Sequence, residues 1–455
     1  MEYDTIAAIS TGLVPGGIGI VRVSGPEAAA ICEPFVKLRK GSLKEARPNH
    51  LYYGKITDGN TVLDEALIAV LRAPHSYTAE DTVELQCHGG PFVLQRVLET
   101  VLKGGARLAE PGEFTKRAFL NGRLDLSEAE AVMDLISSHT ELARKTAMGQ
   151  LGGDFSAGIR EMRAQILEKT AYLEAALDDP EHYELTDYAE EVRPVLETLQ
   201  KKIRELLQSA DNGRLLTEGI RTAIIGCPNV GKSSFLNRLL GFERAIVTQI
   251  PGTTRDTIEE SCRFGDLVLR LSDTAGIRES TDTVEKIGIE RSREAIREAE
   301  LVLLLTDGSR PFSEEDEALL LLCRGKSCLV LLNKADLGLS QTAEELSERL
   351  QLPCFAISAL NGDGLEAVLG KIRELFCLDE IRQQPLIVTN LRHKELLRKA
   401  EQSLGLALAT LDGGAPEDFL TIDLMDAYRA LGQILGEEVE EDLINEIFGK
   451  FCMGK

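Results

Sequence analysis

The sequence predicts a multidomain α+β and α/β fold. An α+β domain spans residues 1–118, a helical domain is split into residues 119–217 and 379–455, and an α/β unit over residues 218–378 is inserted between its halves. Three observations lead there. At 455 residues the chain exceeds what one core serves, at roughly 100 to 200 residues per domain. Apolar spacing shifts from strand period to helical period near Leu124, then to short apolar strands alternating with helices near Ile220. Helical period returns after Cys377, so the two chain ends of the inserted unit are expected to lie close together.

Composition supports folded domains, with 43% hydrophobic and 27% charged residues. No stretch approaches about 18 uninterrupted apolar residues, and "MEYDTIAAIS" has neither the basic start nor the apolar run of a signal peptide. A cytoplasmic protein without a membrane partner is expected. The nine cysteines are scattered and never spaced C-x-x-C, which suggests reduced thiols rather than a disulfide framework or a zinc site. A formal net charge of −23 repels a polyanion, so a nucleic-acid role needs a local basic patch or a partner.

In the first domain "GIGIVRV", "HLYYGKI", "ALIAVL" and "TVELQCH" alternate as strands do, and "PFVLQRVLETVLKGG" has the period of an amphipathic helix. From Leu124 onward, Ser127 with Glu130 reads as a capping box, and Val132, Leu135, Ile136, Leu142 and Ala143 mark one helical face. "IREMRAQILEKTAYLEAAL" repeats that period with Ile159, Met162, Ile166, Thr170, Leu173 and Leu177. The acidic stretch from Glu174 to Glu191 contains Pro180 and reads as a solvated turn. "RTAIIG", "LVLRLSD", "LVLLLTD", "CLVLLNK" and "CFAISA" are the strands of a parallel sheet. At the end of the sequence Val439, Leu443, Ile447 and Phe451 fall four apart, one face that anchors a final helix and delivers Cys452 and Lys455 to a fixed place.

Four motifs in order specify a guanine nucleotide site. "GCPNVGKS", Gly226 to Ser233, lies between a predicted strand and a predicted helix, as a phosphate-cradling G-x-x-x-x-G-K-[ST] loop must. Lys232 neutralises β- and γ-phosphate oxygens and the Ser233 hydroxyl ligates Mg²⁺. "DTAG", Asp273 to Gly276, offers a carboxylate to the metal through water and the Gly276 N–H to the γ-phosphate. In "NKAD", Asn333 to Asp336, the Asp336 carboxylate accepts the N1–H and exocyclic amine of guanine; a buried Asp336 facing adenine would be left unsatisfied. "SAL", Ser358 to Leu360, offers backbone N–H groups to the guanine carbonyl. The inserted unit is therefore expected to be a Ras-like P-loop GTPase domain. Ile277 stands directly after the D-x-x-G, where Ras-like enzymes carry a water-positioning glutamine, and no arginine finger is identifiable among Arg255, Arg278 and Arg291.

Over nearly its full length the chain resembles the MnmE (TrmE) family of tRNA-modification GTPases. The resemblance is carried by "GIGIVRVSG", "VELQCHGG", "PGEFTKRAFLNGRLDLSEAEAV", "VTQIPGTTRD", "DTAGIRE", "VEKIGIERS" and "FCMGK". It implies a K⁺-dependent GTPase, activated when GTPase domains dimerise across the nucleotide. K⁺ would then be held by Asn229, Thr248, Ile250 and Thr253, and Mg²⁺ by Ser233 and Thr254. Motifs and resemblance together give a GTP-binding set of Asn229, Val230, Gly231, Lys232, Ser233, Ser234, Thr248, Gln249, Ile250, Pro251, Gly252, Thr253, Thr254, Asp273, Thr274, Ala275, Gly276, Asn333, Lys334, Asp336, Ser358, Ala359 and Leu360. Glu285, on its own a solvated helix carboxylate, matches the family residue that positions the attacking water.

The resemblance also implies that the first domain is similar to tetrahydrofolate-binding domains and dimerises the protein. A 5-formyl- or 5,10-methylene-tetrahydrofolate would meet Arg22, Glu84, Arg123 and Lys455. A carboxylate suits the pterin's donors, and basic groups suit the glutamate tail. Cys452, by its pattern a packing residue, becomes a candidate catalytic thiol. The implied reaction adds an aminomethyl-type group, carboxymethylaminomethyl, to carbon 5 of the tRNA wobble uridine. It is carried out by a homodimer in a heterotetramer or larger complex with MnmG (GidA), which holds FAD and uses NADH. Two other readings stand beside this one: an Era-type RNA or ribosome-assembly switch, which predicts a basic C-terminal module where this sequence is acidic, and a nucleotide-gated scaffold.

Overall fold

The computed structural model describes residues 4–179, 182, 188–241, 260–265, 267–271, 293–376, 386–413 and 417–455. They divide into two compact units, Met1–Met133 with Gln150–Arg163 and Leu431–Lys455, and Asp134–Gly149 with Ala164–Ala430. No described helix is long and apolar enough to cross a membrane.

Seven strands build the sheet of the first unit: β1 (Ile6–Ile9), β2 (Gly16–Ser24), β3 (Val36–Leu38), β4 (His50–Asp58), β5 (Thr61–Leu71), β6 (Thr82–Gly89) and β7 (Arg107–Leu108). Their order is β3-β4-β5-β6-β2-β1-β7, antiparallel except for the β1–β7 pair. Helix α1 (Ala28–Cys32) precedes β3, and α2 (Pro91–Lys103) starts on Pro91, a residue whose fixed φ suits a first turn. Leu94, Val97 and Val101 of α2 join Val21, Val23, Val83 and Leu85 in one core. Strand alternation then puts Arg22 and Glu84 on the other face of the sheet, paired across β2 and β6.

Helices α3 (Glu113–Leu120) and α4 (Leu126–Ile136) follow. The expected Ser127 box is displaced by two residues. Asp125 Oδ1 accepts the Glu128 N–H at 2.9 Å while Glu128 Oε2 accepts the Asp125 N–H at 2.9 Å. Ser127 instead lies buried inside the helix, donating to Asp125 and meeting Ser156. An Asp accepts the same orphan amides as a Ser, and it sits one residue before the first apolar turn position.

Next come α5 (Glu141–Leu151) and α6 (Asp154–Asp178). Ile159, Met162, Ile166, Thr170 and Leu173 of α6 are buried as a stripe, but Leu177 is exposed and Ala176 takes the inward place. Ile136, expected on a buried face, is also exposed at the end of α4. Both lie in a helix's last turn, where a three-residue step replaces a four-residue one.

The final segment differs in the same way. Helix α14 (Glu441–Gly449), which follows α12 (Leu391–Gly413) and α13 (Glu417–Leu435), begins two residues after Val439 and stops two before Phe451. Its buried face is Ile444 and Phe448, joined by Phe451 from beyond the helix, and Leu443 is 40% exposed. These three pack with Leu126 and Ala129, and partly buried Val439 and Ile447 border them. Gly112, at φ +68°, lets the turn before α3 press against the Phe448 carbonyl; a Cβ there would also stand 2.9 Å from the Phe451 Cβ.

In the second unit α7 (Tyr188–Glu218) packs against α12. Gly219, at φ +80°, closes α7 with its N–H on the Leu215 carbonyl and leads into the second sheet. That sheet contains β8 (Ile220–Ile225), β9 (Glu260–Phe264), β10 (Leu267–Leu271), β11 (Leu301–Asp307), β12 (Ser327–Asn333) and β13 (Cys354–Ala356), ordered β13-β12-β11-β8-β10-β9. Five strands are parallel as expected, but β9 runs antiparallel to β10, so the sheet is mixed at one edge. Helices α8 (Lys232–Gly241), α9 (Glu314–Leu322), α10 (Ala343–Leu350) and α11 (Leu365–Leu375) accompany it. Separate apolar clusters cover its two faces, which is why its central strands read as continuous apolar runs.

Candidate functional site

The first constellation lies at the carboxyl ends of β8, β12 and β13. Strand β8 ends at Ile225 and α8 begins at Lys232, so Gly226–Gly231 form the connecting loop. Gly231, at φ +97°, lies directly against the Asn333 amide, where a side chain has no room. Asn229 is exposed in the left-handed region at φ +61°, a conformation asparagine tolerates better than most residues. Lys232 Nζ donates to the Gly226 and Cys227 carbonyls, each at 2.7 Å. Two of its three donors are thus held by the loop and one remains for a phosphate. Burial pushes this ammonium below the usual lysine range, and Cys227 opposes that shift. Val230 is buried, and Ser233 and Ser234 are exposed in the first turn of α8.

Asn333 ties this loop to the two others. Its buried amide donates to the Val230 carbonyl at 2.8 Å and accepts the Ala359 N–H at 2.9 Å. Ser358 Oγ donates to Asp336 Oδ1 at 2.6 Å, fixing the carboxylate plane, and Lys334 pairs with Asp307 at 2.6 Å. Asp336 is exposed rather than buried, so the desolvation that guanine discrimination needs would have to come from the base on binding. Leu360 is 75% exposed beside it. Thr248, Gln249, Ile250, Pro251, Gly252, Thr253, Thr254, Asp273, Thr274, Ala275, Gly276 and Glu285 lie outside the described residues, as do Arg255, Ile277, Arg278 and Arg291.

The second constellation is in the first unit. Arg22 Nε donates to Glu84 Oε1 at 2.9 Å across the β2–β6 pair, both side chains largely buried. The same guanidinium stands over the Tyr77 ring at 5.2 Å and the Phe114 ring at 5.4 Å from the centroids. Arg123, exposed, stands over Tyr77 at 4.9 Å and donates from Nη1 to the Tyr77 carbonyl at 2.9 Å. Lys455 is half-buried; burial first, and then the neighbouring Arg22 charge, push its ammonium below the usual lysine range, while Cys452 and Glu84 act in the other direction. Backbone bonds dock the segment, from Gly112 N–H to the Cys452 carbonyl at 3.3 Å and from Phe114 N–H to the Lys455 carbonyl at 3.2 Å. Arg22, Glu84, Arg123, Cys452 and Lys455, spread over the sequence, therefore share one neighbourhood.

Arg22 Nη1 is buried with no hydrogen-bond partner. A buried guanidinium donor without an acceptor is costly, and one beside a carboxylate and a second cation marks a place where a ligand oxygen fits. The donor set would suit a reduced folate: Glu84 keeps an oxygen that could accept from ring donors, and Arg22, Arg123 and Lys455 could pair with an anionic tail.

Comparison with known proteins extends over the whole chain. The family profile "GTP-binding protein TrmE N-terminus" matches residues 5–123 and "MnmE helical domain" matches residues 126–452. The tRNA modification GTPase MnmE of Lachnoclostridium phytofermentans is 47% identical over 458 aligned positions, covering 100% of both chains. The chain belongs to the MnmE (TrmE) family. The tRNA modification GTPase MnmE of Acetivibrio thermocellus is 45% identical over 458 aligned positions, again covering 100% of both chains. Among solved structures, the G domain of the T. maritima FeoB iron transporter is 28% identical over 34% of this chain and 97% of its own, with a TM-score of 0.27.

Two parts of these constellations escape sequence reading in this MnmE family member. Tyr77 and Phe114 flank Arg22 through contacts 55 and 92 positions away, which no local pattern announces. In the nucleotide loop, Cys227 Sγ donates to the buried Asp316 Oδ1 at 3.3 Å, and burial followed by this bond pushes the thiol up to about 11. Asp316 also completes the Ser313 capping box of α9. The S-x-x-D spacing of that box is legible in "FSEED"; its reach to the phosphate loop is not.

Proposed function

We propose that this chain is a GTP-hydrolysing tRNA modification enzyme. With MnmG it adds an aminomethyl-type group, carboxymethylaminomethyl, to carbon 5 of the wobble uridine. One observation carries the reading: a chain matching tRNA modification GTPases from end to end ties its Gly226–Gly231 loop to the Ser358–Leu360 segment through Asn333 and holds a separate cluster around a partnerless Arg22 donor.

In this reading the free Lys232 donor meets the β- and γ-phosphates and the Asp336 carboxylate reads guanine. Ser233 and Thr254 hold Mg²⁺, and Asn229, Thr248, Ile250 and Thr253 hold K⁺; the two ions supply positive charge on the phosphates. Glu285 positions the attacking water, a role Ile277 lacks the polar atoms to fill. Asp273, Gly276 and the rest of the nucleotide set complete the cradle.

A tetrahydrofolate derivative supplies the one-carbon unit. Arg22, Arg123 and Lys455 bind its anionic portion, Glu84 orients its ring, and Cys452 stands beside Lys455 as a thiol. Leu51, Tyr53, Val62 and Leu67 on β4 and β5 are exposed apolar residues on one hairpin, which supports homodimerisation through the domain at residues 1–118. A larger complex with MnmG, carrying FAD and using NADH, relieves the −23 chain of most tRNA phosphate contacts.

The test is GTP turnover by the full chain in KCl and in NaCl at matched ionic strength. Turnover dependent on KCl and reduced in Asn229→Ala is expected; equal rates in both salts would overturn the K⁺ assignment.

A further inference from the structure

We propose that Tyr77 is the positioning residue of the first unit's cluster, setting the spacing of the Arg22 and Arg123 guanidinium groups toward one anionic ligand. This rests on the folate reading above and deepens it. Two cations that converge on a ligand repel each other before it arrives, so something must hold them. Each lies within the roughly 6 Å over which an aromatic ring attracts a cation, at 5.2 Å and 4.9 Å from the Tyr77 centroid.

The ring is itself fixed. Its hydroxyl meets buried Thr115 Oγ1 at 2.9 Å, its carbonyl accepts from Arg123, and the next carbonyl, of Thr78, accepts from Asn121 Nδ2 at 2.7 Å. The choice of an aromatic holder has a chemical consequence. A carboxylate in that place would occupy the guanidinium donors, whereas a ring attracts the cation and leaves its N–H groups for another acceptor. Arg22 is arranged in that way: Nε is on Glu84, the plane lies by Tyr77 and Phe114, and Nη1 is buried with no partner. Tyr77 thereby reserves one donor for a carboxylate or carbonyl oxygen of the ligand and keeps Arg123 beside it.

The experiment titrates the full chain with 5-formyl-tetrahydrofolate by calorimetry, using wild type, Tyr77→Phe, Tyr77→Leu, Arg123→Ala and the Tyr77→Leu/Arg123→Ala double variant. The phenylalanine variant, which keeps the ring, is expected to bind within about threefold of wild type, and the leucine variant about tenfold more weakly, as loss of two cation–ring contacts implies. On the Arg123→Ala background the leucine substitution should cost clearly less, since half its purpose is gone. A purely structural role gives additive losses in that cycle and overturns the proposal. Unchanged affinity in Tyr77→Leu overturns it while leaving the folate reading intact; no binding by wild type overturns both.

Discussion

Removing the Phe451 ring should weaken the proposed folate site without touching it. Phe451 is 7% exposed, its ring 5.2 Å from that of Phe448, within the cluster of Leu126, Ala129 and Ile444. A buried Phe→Ala change costs about 3–5 kcal/mol, and here the lower end applies because the residue sits at the edge of the cluster, where the chain can collapse. Past Phe451 the segment is held by two long backbone bonds at 3.3 and 3.2 Å, worth about 1 kcal/mol each. With the ring gone, those two bonds stand alone against about 1–2 kcal/mol per residue of backbone entropy for ordering residues 452–455, and the loss of about 3 kcal/mol lowers the docked-to-undocked ratio by about a hundredfold. Lys455 and Cys452 leave Arg22, and apparent affinity falls with the docked fraction. The assay is 5-formyl-tetrahydrofolate titration of Phe451→Ala beside GTP turnover: folate binding at least about tenfold weaker, turnover retained. Wild-type folate affinity in that variant would refute the chain of reasoning from ring to docking to site.

Three further outcomes follow from single contacts. The Lys455 ammonium is depressed by burial and then by Arg22, so it loses its proton below the ordinary lysine range. Folate affinity should fall as pH rises through that depressed value, and Lys455→Arg should flatten the profile; the unfolded chain binds this proton more tightly, so stability moves the opposite way, rising over the same window. Asp336→Asn replaces an acceptor with a donor opposite guanine, and should shift preference from guanosine to xanthosine triphosphate by about ten- to a hundredfold in competition assays. Asn333→Ala removes two bonds at 2.8 and 2.9 Å and leaves the Val230 carbonyl and Ala359 N–H buried, which should weaken GTP binding and lower stability by about 2–5 kcal/mol in denaturant titration.

The nucleotide constellation was legible because its grammar is local: glycines where a loop must approach phosphate, Lys232 at a helix start, "NKAD" and "SAL" at strand ends. What joins those pieces was not, since the Asn333 amide bonds residues 103 positions before it and 26 after it. Strand periodicity found the first sheet, yet β9, "ESCRF", was missed because only Cys262 and Phe264 are apolar in it and both point inward. Helix spacing failed at ends. Leu177, Ile136 and Leu443 each fit a four-residue step that the last or first turn does not continue, and the Asp125 cap was overlooked for a serine that fits the same pattern two residues on. The clustering of Arg22, Glu84, Arg123 and Lys455 is carried by the family resemblance alone, and that of Tyr77 by neither pattern nor resemblance, because an aromatic residue in a bend carries no sign of the two guanidinium groups it meets.

Mass spectrometry of the wobble uridines in tRNA bears most directly on the central claim, that this chain couples a GTPase site to one-carbon chemistry on tRNA. Cells lacking the gene should lose the carboxymethylaminomethyl group at carbon 5, regain it with the wild-type chain, and fail to regain it with Arg22→Ala. Unchanged modification in the cells lacking the gene would contradict the account and favour an RNA-binding GTPase switch instead.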